Sequence, residues 1–218
     1  MQAIRKIVLL FVVAFYSSQL FAQPAIGIRG GINYGAVAEP AVIGGVLPDF
    51  KNIFGWNIGV IGEIPINRSL SFQPELALNQ KGFQLREGLN IDLFKIPIPI
   101  GASAVTRVNY IDLPLLLKYK LGNQAWNAYL TAGPVFSYAT GGQLQTKAQV
   151  LFDIPITSTD LDLGALGYSR MEVSASLGAG LSFDTGAGSL FFDARYVRGL
   201  TDVYDVPVVD LKLKNQGF

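Results

Sequence analysis

Leu70-Ser71-Phe72-Gln73-Pro74-Glu75-Leu76-Ala77-Leu78-Asn79-Gln80-Lys81 carries two chemistries on alternate positions. Leu70, Phe72, Leu76 and Leu78 share one parity, and Ser71, Gln73, Glu75, Asn79 and Lys81 share the other. A period of two belongs to a β-strand with unlike faces. A soluble barrel or sandwich turns its apolar face inward and its polar face to water. Here the composition argues the reverse, because a chain that is 50% hydrophobic and 15% charged has more apolar surface than a soluble β-domain can hide. Lipid outside and a polar interior accommodate both faces, and lipid admits strands only when the sheet closes and leaves no unpaired edge.

Six further stretches repeat the pattern. In 25–36, Ile26, Ile28, Ile32 and Tyr34 oppose Gly27, Arg29, Gly31 and Asn33; in 54–64, Phe54, Trp56, Ile58, Val60 and Ile64 oppose Asn57, Gly59 and Glu63. In 108–121, Ile111, Leu113, Leu115, Leu117, Tyr119 and Leu121 oppose Tyr110, Asp112, Lys118 and Lys120. Stretches 126–139, 170–184 and 189–198 continue the series. Tight turns at 65–69, 122–125 and 185–188 interleave with long connections at 37–53, 82–106, 140–168 and 199–210. That rhythm predicts an all-β, up-and-down antiparallel transmembrane β-barrel of about eight strands, with short periplasmic turns and long outer loops. Pro74 and Pro114 count against two of the strands, since proline cannot donate to a ladder. Glycine on both faces suits a narrow, strongly curved wall.

Upstream, Arg5 and Lys6 precede an apolar run at 7–16, and Leu20-Phe21-Ala22 leads to Gln23. This reads as a secretory signal over 1–22 with cleavage after Ala22, followed by one barrel domain over 23–218. Without the leader, 15 basic residues face 16 acidic ones, a balance that does not favour nucleic acid as a partner. The chain contains neither cysteine nor histidine. Disulfides, thiolate metal sites and a histidine general base are therefore excluded, and no cofactor or metal site is expected.

The polar face collects charges of both signs: Arg29, Glu63, Glu75, Lys81, Asp112, Lys118, Arg170, Glu172, Asp193 and Arg195. An eight-stranded barrel is only wide enough inside for side chains, so these residues are expected to form a mutually neutralising core and not a water-filled path. Glu63 and Glu75 could in principle share acid–base work, but cations are expected around both. Tyr34, Phe54, Trp56, Tyr119, Trp126, Phe136, Tyr138 and Tyr196 suit interfacial girdles. Two of the long connections are apolar and alternate around Ile-Pro-Ile, at 90–100 and 149–157. The plain expectation is hairpins that extend past the membrane and pack together; the sharper one is a surface for an apolar ligand or an envelope protein.

Several pieces resemble a family. They are Gly27-Ile28-Arg29-Gly30-Gly31-Ile32-Asn33-Tyr34, Tyr110-Ile111-Asp112-Leu113-Pro114-Leu115-Leu116-Leu117-Lys118-Tyr119, Tyr129-Leu130-Thr131-Ala132-Gly133-Pro134, and Asp193-Ala194-Arg195-Tyr196-Val197-Arg198-Gly199-Leu200. In order and spacing they resemble the PorT-like, porin-family outer-membrane β-barrel proteins of Bacteroidetes. The resemblance implies an eight-stranded barrel in the outer membrane of a Gram-negative bacterium, with lipid and the barrel-assembly machinery as partners. It also implies a non-enzymatic structural or accessory role, including one in secretion. A narrow porin or hydrophobic-ligand transporter is the alternative, and a secreted soluble barrel for an apolar ligand is a third. Similar proteins carry a last strand after a segment like 211–218, ending in a lipid-facing aromatic. Gln216 and Lys214 interrupt the apolar alternation that Phe218 would complete, so the eighth strand is expected to be truncated.

Overall fold

The computed structural model describes residues 24–38, 49–93, 96–122, 125–149, 153–161, 169–201, 204–206 and 211–217. The leader at 1–22 and Phe218 lie outside the described residues. Ten strands follow in order: β1 (Ala25–Ala38), β2 (Asp49–Pro65), β3 (Leu70–Leu93), β4 (Ile96–Gly122), β5 (Trp126–Gln149), β6 (Asp153–Leu161), β7 (Met171–Asp184), β8 (Ser189–Gly199), β9 (Tyr204–Val206) and β10 (Leu211–Gly217). Neighbours pair antiparallel in the order β1-β2-β3-β4-β5-β7-β8-β10, and β10 pairs back to β1. The ring thus has eight staves. β6 lies against β5 and β9 against β10, both off the ring.

The predicted strands are all present, but two predicted loops are not loops. β3 and β4 stay in one unbroken register from Leu70↔Tyr119 to Leu93↔Ile96, so most of 82–106 is a hairpin. β5 follows β4 out to Gly101↔Gln149, and β6 folds back along it over 142–149. Strands of about 9–11 tilted residues cross a bilayer, so β3, β4 and β5, at 24, 27 and 24 residues, project well beyond it. Side chains of the apolar segments 90–100 and 149–157 lie outside the described ones. Pro97 and Pro99 lie in 96–100, which among the described residues pairs with β3 and with no second strand.

Pro74 and Pro114 do sit inside strands. Pairing lapses for two residues opposite each, at Gly62-Glu63 and at Glu75-Leu76, and again at Leu115-Leu116 opposite Pro134. The register resumes unchanged after every lapse, so each proline removes hydrogen bonds without slipping the strand. True register shifts occur between Asn52 and Asn57 and between Asn109 and Tyr110. Both fall opposite the same short part of β3, 79–83, where the projecting hairpin leaves the ring. Bulges gather at barrel rims because they bend a strand and raise its twist.

Two tight turns are described at one end. At 66–69, Asn67 Oδ1 accepts the backbone N–H groups of Ser69 (2.9 Å) and Leu70 (2.8 Å). At 185–188, Gly186 takes φ +78° and donates its N–H to Asp184 Oδ1 (2.8 Å). A side chain in that left-handed region is strained, so Gly186→Ala is expected to lower stability by about 1–2 kcal/mol, read from the urea midpoint of the refolded barrel. A shift smaller than the error of the measurement would mean that the turn relaxes freely.

Parity then sorts the wall. Ile28, Ile58, Leu78, Leu113, Leu130, Leu177 and Phe192 face out and are exposed, whereas Gln73, Glu75, Lys118, Thr131, Ser137, Glu172 and Ser174 face in and are buried. Tyr119 and Trp126 lie toward the tight turns. Tyr34 and Phe54 meet at the far end of β1 and β2, ring centroids 4.8 Å apart and planes tilted by 41°. Two aromatic belts with an apolar band between them describe a wall built for lipid. Tyr196, opposite Leu177, is half-buried and lies between the belts.

Candidate functional site

Inward parity makes a polar interior, and the interior is where the charged residues meet. Nearest the tight turns, Glu63 of β2 binds Lys118 Nζ through Oε2 (2.9 Å) and Lys120 Nζ through Oε1, while Ser71 Oγ donates to Oε1 (3.0 Å). Lys118 Nζ also stands 4.2 Å from the centre of the Tyr129 ring, a cation–π contact that covers its remaining face.

One level up, Glu75 of β3 joins two strands that are distant in sequence. Its Oε2 accepts from Arg29 Nη1 (2.9 Å), both oxygens accept from Arg195 Nη1 (2.9 Å), and Gln73 Nε2 donates to Oε1 (2.6 Å). Arg195 Nη2 and Nε bond Asp193 Oδ2 at 2.6 and 3.1 Å, and Arg29 Nη2 lies 3.7 Å from Asp193 Oδ1. Tyr129 OH donates to Asp193 Oδ2 (3.3 Å). Gly178 makes this level possible: a Cβ there would lie 2.7 Å from both Arg195 Cγ and Thr131 Oγ1.

The upper level is centred on Lys81, whose Nζ reaches Glu172 Oε2 (3.4 Å), Asp112 Oδ1 (3.8 Å) and Ser137 Oγ (3.3 Å), and lies 4.5 Å from the Tyr110 ring centre. Ser174 Oγ donates to Glu172 Oε1 (2.9 Å) and Asn79 Nδ2 to Asp112 Oδ2 (2.7 Å). Asn33 Nδ2 in turn donates to Asn79 Oδ1 (2.6 Å), which ties β1 to β3 and β4.

Nine of the ten residues expected inside are brought together in these three clusters: Arg29, Glu63, Glu75, Lys81, Asp112, Lys118, Glu172, Asp193 and Arg195. Arg170 is not among them. It precedes β7 and is exposed at the rim, because the strand that would carry it inward starts one residue later. Lys120, which the alternation also turns inward, is the residue the charge network gains. Five cations then face five carboxylates. Glu63 and Glu75 belong to separate clusters, each engaged by two cations, so they do not form a free carboxylate pair. Among the described residues no three acidic side chains group as a metal-holding set.

The wall and its contents agree with a comparison of families. The family described as "outer membrane protein beta-barrel domain" matches residues 21–205. The chain belongs to that family. This outer-membrane barrel accordingly resides in the outer membrane of a Gram-negative bacterium, its tight-turn end toward the periplasm as such barrels are built. The family match does not reach the finer PorT-like grouping.

No curated protein matches the barrel. Among solved structures it is similar to Ail, the attachment invasion locus protein of Yersinia pestis. In complex with the heparin analogue sucrose octasulfate, Ail is 17% identical, with 90% of this chain and 96% of that one covered and a TM-score of 0.36. A second Ail structure is 15% identical, covering 88% and 93%, with a TM-score of 0.35.

Proposed function

We propose that this barrel is a non-enzymatic, non-conducting scaffold with a structural or accessory role in the outer membrane, its working surface being the sheet it projects beyond the lipid. The observation that carries this reading is the state of the lumen. The side chains of Glu75 and Glu172 are 0% accessible to water, and Tyr110, Leu116, Thr131, Ser137 and Ser174 are fully buried around them. A conducting path hydrates the groups that line it; the Glu75 and Glu172 side chains are held by protein instead, while a cavity of about 560 Å³ reaches Arg29, Lys81 and Asp193 of the same network. Interior carboxylates committed to arginine and lysine are poorly placed for acid–base work, and the chain has no histidine or cysteine to serve in their stead.

The projecting β3–β4–β5–β6 sheet favours an accessory role, since it carries the apolar segments 90–100 and 149–157 away from the membrane, where an envelope protein or apolar ligand could meet them. A secretion-related role of the PorT kind rests on the resemblance of the four quoted motifs. Export by cleavage after Ala22, insertion by the barrel-assembly machinery and contact with outer-membrane lipid complete the proposal.

Planar-bilayer recording tests it. The reconstituted protein is expected to give no discrete conductance steps above the lipid baseline in molar salt. Reproducible steps that disappear when the protein is heat-denatured would replace the scaffold with a narrow pore.

A further inference from the structure

We propose that Arg198 marks a binding site for the phosphate group of an outer-leaflet lipid, on the lipid-facing surface of β7 and β8 at the outer edge of the apolar band. Among the described ring stretches 25–36, 54–64, 70–80, 109–121, 126–138, 171–183 and 189–198, Arg198 is the one charged residue on outward parity. Register settles its side: it stands opposite Ala175, on the same parity of β7 as Leu177 and Leu181, and it is exposed. Arg195, three positions earlier, turns inward and is held by Glu75 and Asp193. The interior is balanced without Arg198, since its cations are already matched by carboxylates.

Depth along the wall narrows what can meet this charge. β8 leaves the tight turn at Ser189 on the periplasmic side, and Arg198 lies nine residues further along it. With a rise of about 3.3 Å per residue and a tilt of about 40°, that is a height of about 23 Å, close to the top of an apolar band about 25 Å tall. A cation there, on the lipid side, has hydrocarbon below it and headgroups beside it. The wall offers it no counter-charge. Its cross-strand neighbours are Ala175 on β7 and Gln216 on β10, and Tyr196 and Leu200 stand two positions before and after it. Among the described residues no carboxylate reaches its guanidinium.

The chemistry of the surroundings describes the ligand. A guanidinium presents a planar fork of N–H donors that matches two phosphate oxygens at once. Ala175 beside Arg198, and Pro134 beyond Ala175, are small or compact residues, so a headgroup can approach the fork from the β7 side. One outward row below stand Leu177, 62% exposed, and Tyr196, at the level of acyl chains. Gln216, exposed on the other side, adds a neutral amide. Donors above apolar ground fit an amphiphile whose anionic end is a phosphate monoester, as on lipid A, better than phosphate dissolved in water, which leaves the apolar ground unused. The inference rests on the lipid-facing wall and holds whether or not the lumen conducts.

Native mass spectrometry of the barrel in a maltoside detergent, which brings no phosphate of its own, tests this with lipid A in phosphorylated and dephosphorylated forms and with inorganic phosphate. The expected result is retention of the phosphorylated lipid by the unmodified chain and about tenfold weaker retention by Arg198→Gln. Arg170→Gln is expected to retain it unchanged, because it removes the same charge from an exposed rim position off the outward face. The dephosphorylated lipid is expected to bind the unmodified chain as weakly as the phosphorylated one binds Arg198→Gln, and excess inorganic phosphate to leave the complex intact. Heat-dependent gel mobility shows that each variant is folded beforehand. Equal retention by Arg198→Gln and the unmodified chain, equal loss in both variants, equal retention of the two lipid forms, or displacement by inorganic phosphate would each overturn the proposal.

Discussion

Glu75→Ala is expected to destabilise the barrel by about 3–5 kcal/mol, a large share of the stability of a domain this size. The residue is the shared partner of Arg29 and Arg195, which lie 46 and 120 positions away in sequence, and its side chain is wholly buried. Removing it leaves two guanidinium groups inside the wall with only Asp193 between them. Burial does not make the original pairing strongly favourable, because desolvation offsets most of the attraction; the cost arises from the charge left uncompensated. Glu75→Leu combined with Arg195→Met is therefore expected to recover most of the loss, since Arg29 can still neutralise Asp193. Urea unfolding of the three proteins in the same lipid checks this. A single-variant loss below about 1 kcal/mol would place the pair in hydrated surroundings, as for a surface ion pair, and would count against the non-conducting lumen.

The inside of the barrel was legible in the sequence because a strand's parity is strict. Once Leu70 is placed outward, Ser71, Gln73 and Glu75 must point inward, and the same inference recovers Asp112, Lys118 and Glu172 from their own strands. Boundaries were less legible, for an identifiable reason. The alternation was traced back only to residues 54 and 108, whereas β2 starts at Asp49 and β4 at Ile96. The register shifts at 52–57 and 109–110 sit at those very places. An extra residue in one strand reverses its parity, so a period-two pattern stops there although the strand continues. Past the bulge, Gly101-Ala102-Ser103-Ala104 is too small and mixed to show a face at all. Partnership across the lumen was illegible for a different reason: Arg29, Glu75 and Asp193 come together only through ring closure, which no local pattern encodes. Arg170 fails on a boundary of one residue, and Lys120 joins because parity holds to the end of β4.

Leu177→Arg separates lipid from water as the surroundings of this wall. Leu177 is 62% exposed halfway along β7, and Ile66 in the tight turn between β2 and β3 is comparably open. If the outside were wet, arginine would be tolerated at both positions to within about 0.5 kcal/mol. If the outside is hydrocarbon, the two positions differ sharply. At mid-membrane Leu177→Arg is expected to cost about 2–4 kcal/mol, while Ile66→Arg, at the periplasmic rim, is expected to cost about 0–1 kcal/mol. The contrast between the two variants matters more than either value, because both remove a similar apolar side chain and add the same charge. Denaturant titration in vesicles measures it, with the unheated gel mobility of each variant showing that a folded barrel was present at the start. Equal, small losses would put the apolar band in water and would return the chain to a soluble architecture. The outward row of leucines would then need a protein partner to cover it, since Leu130, Leu177 and Leu181 together exceed what scattered surface residues ordinarily show.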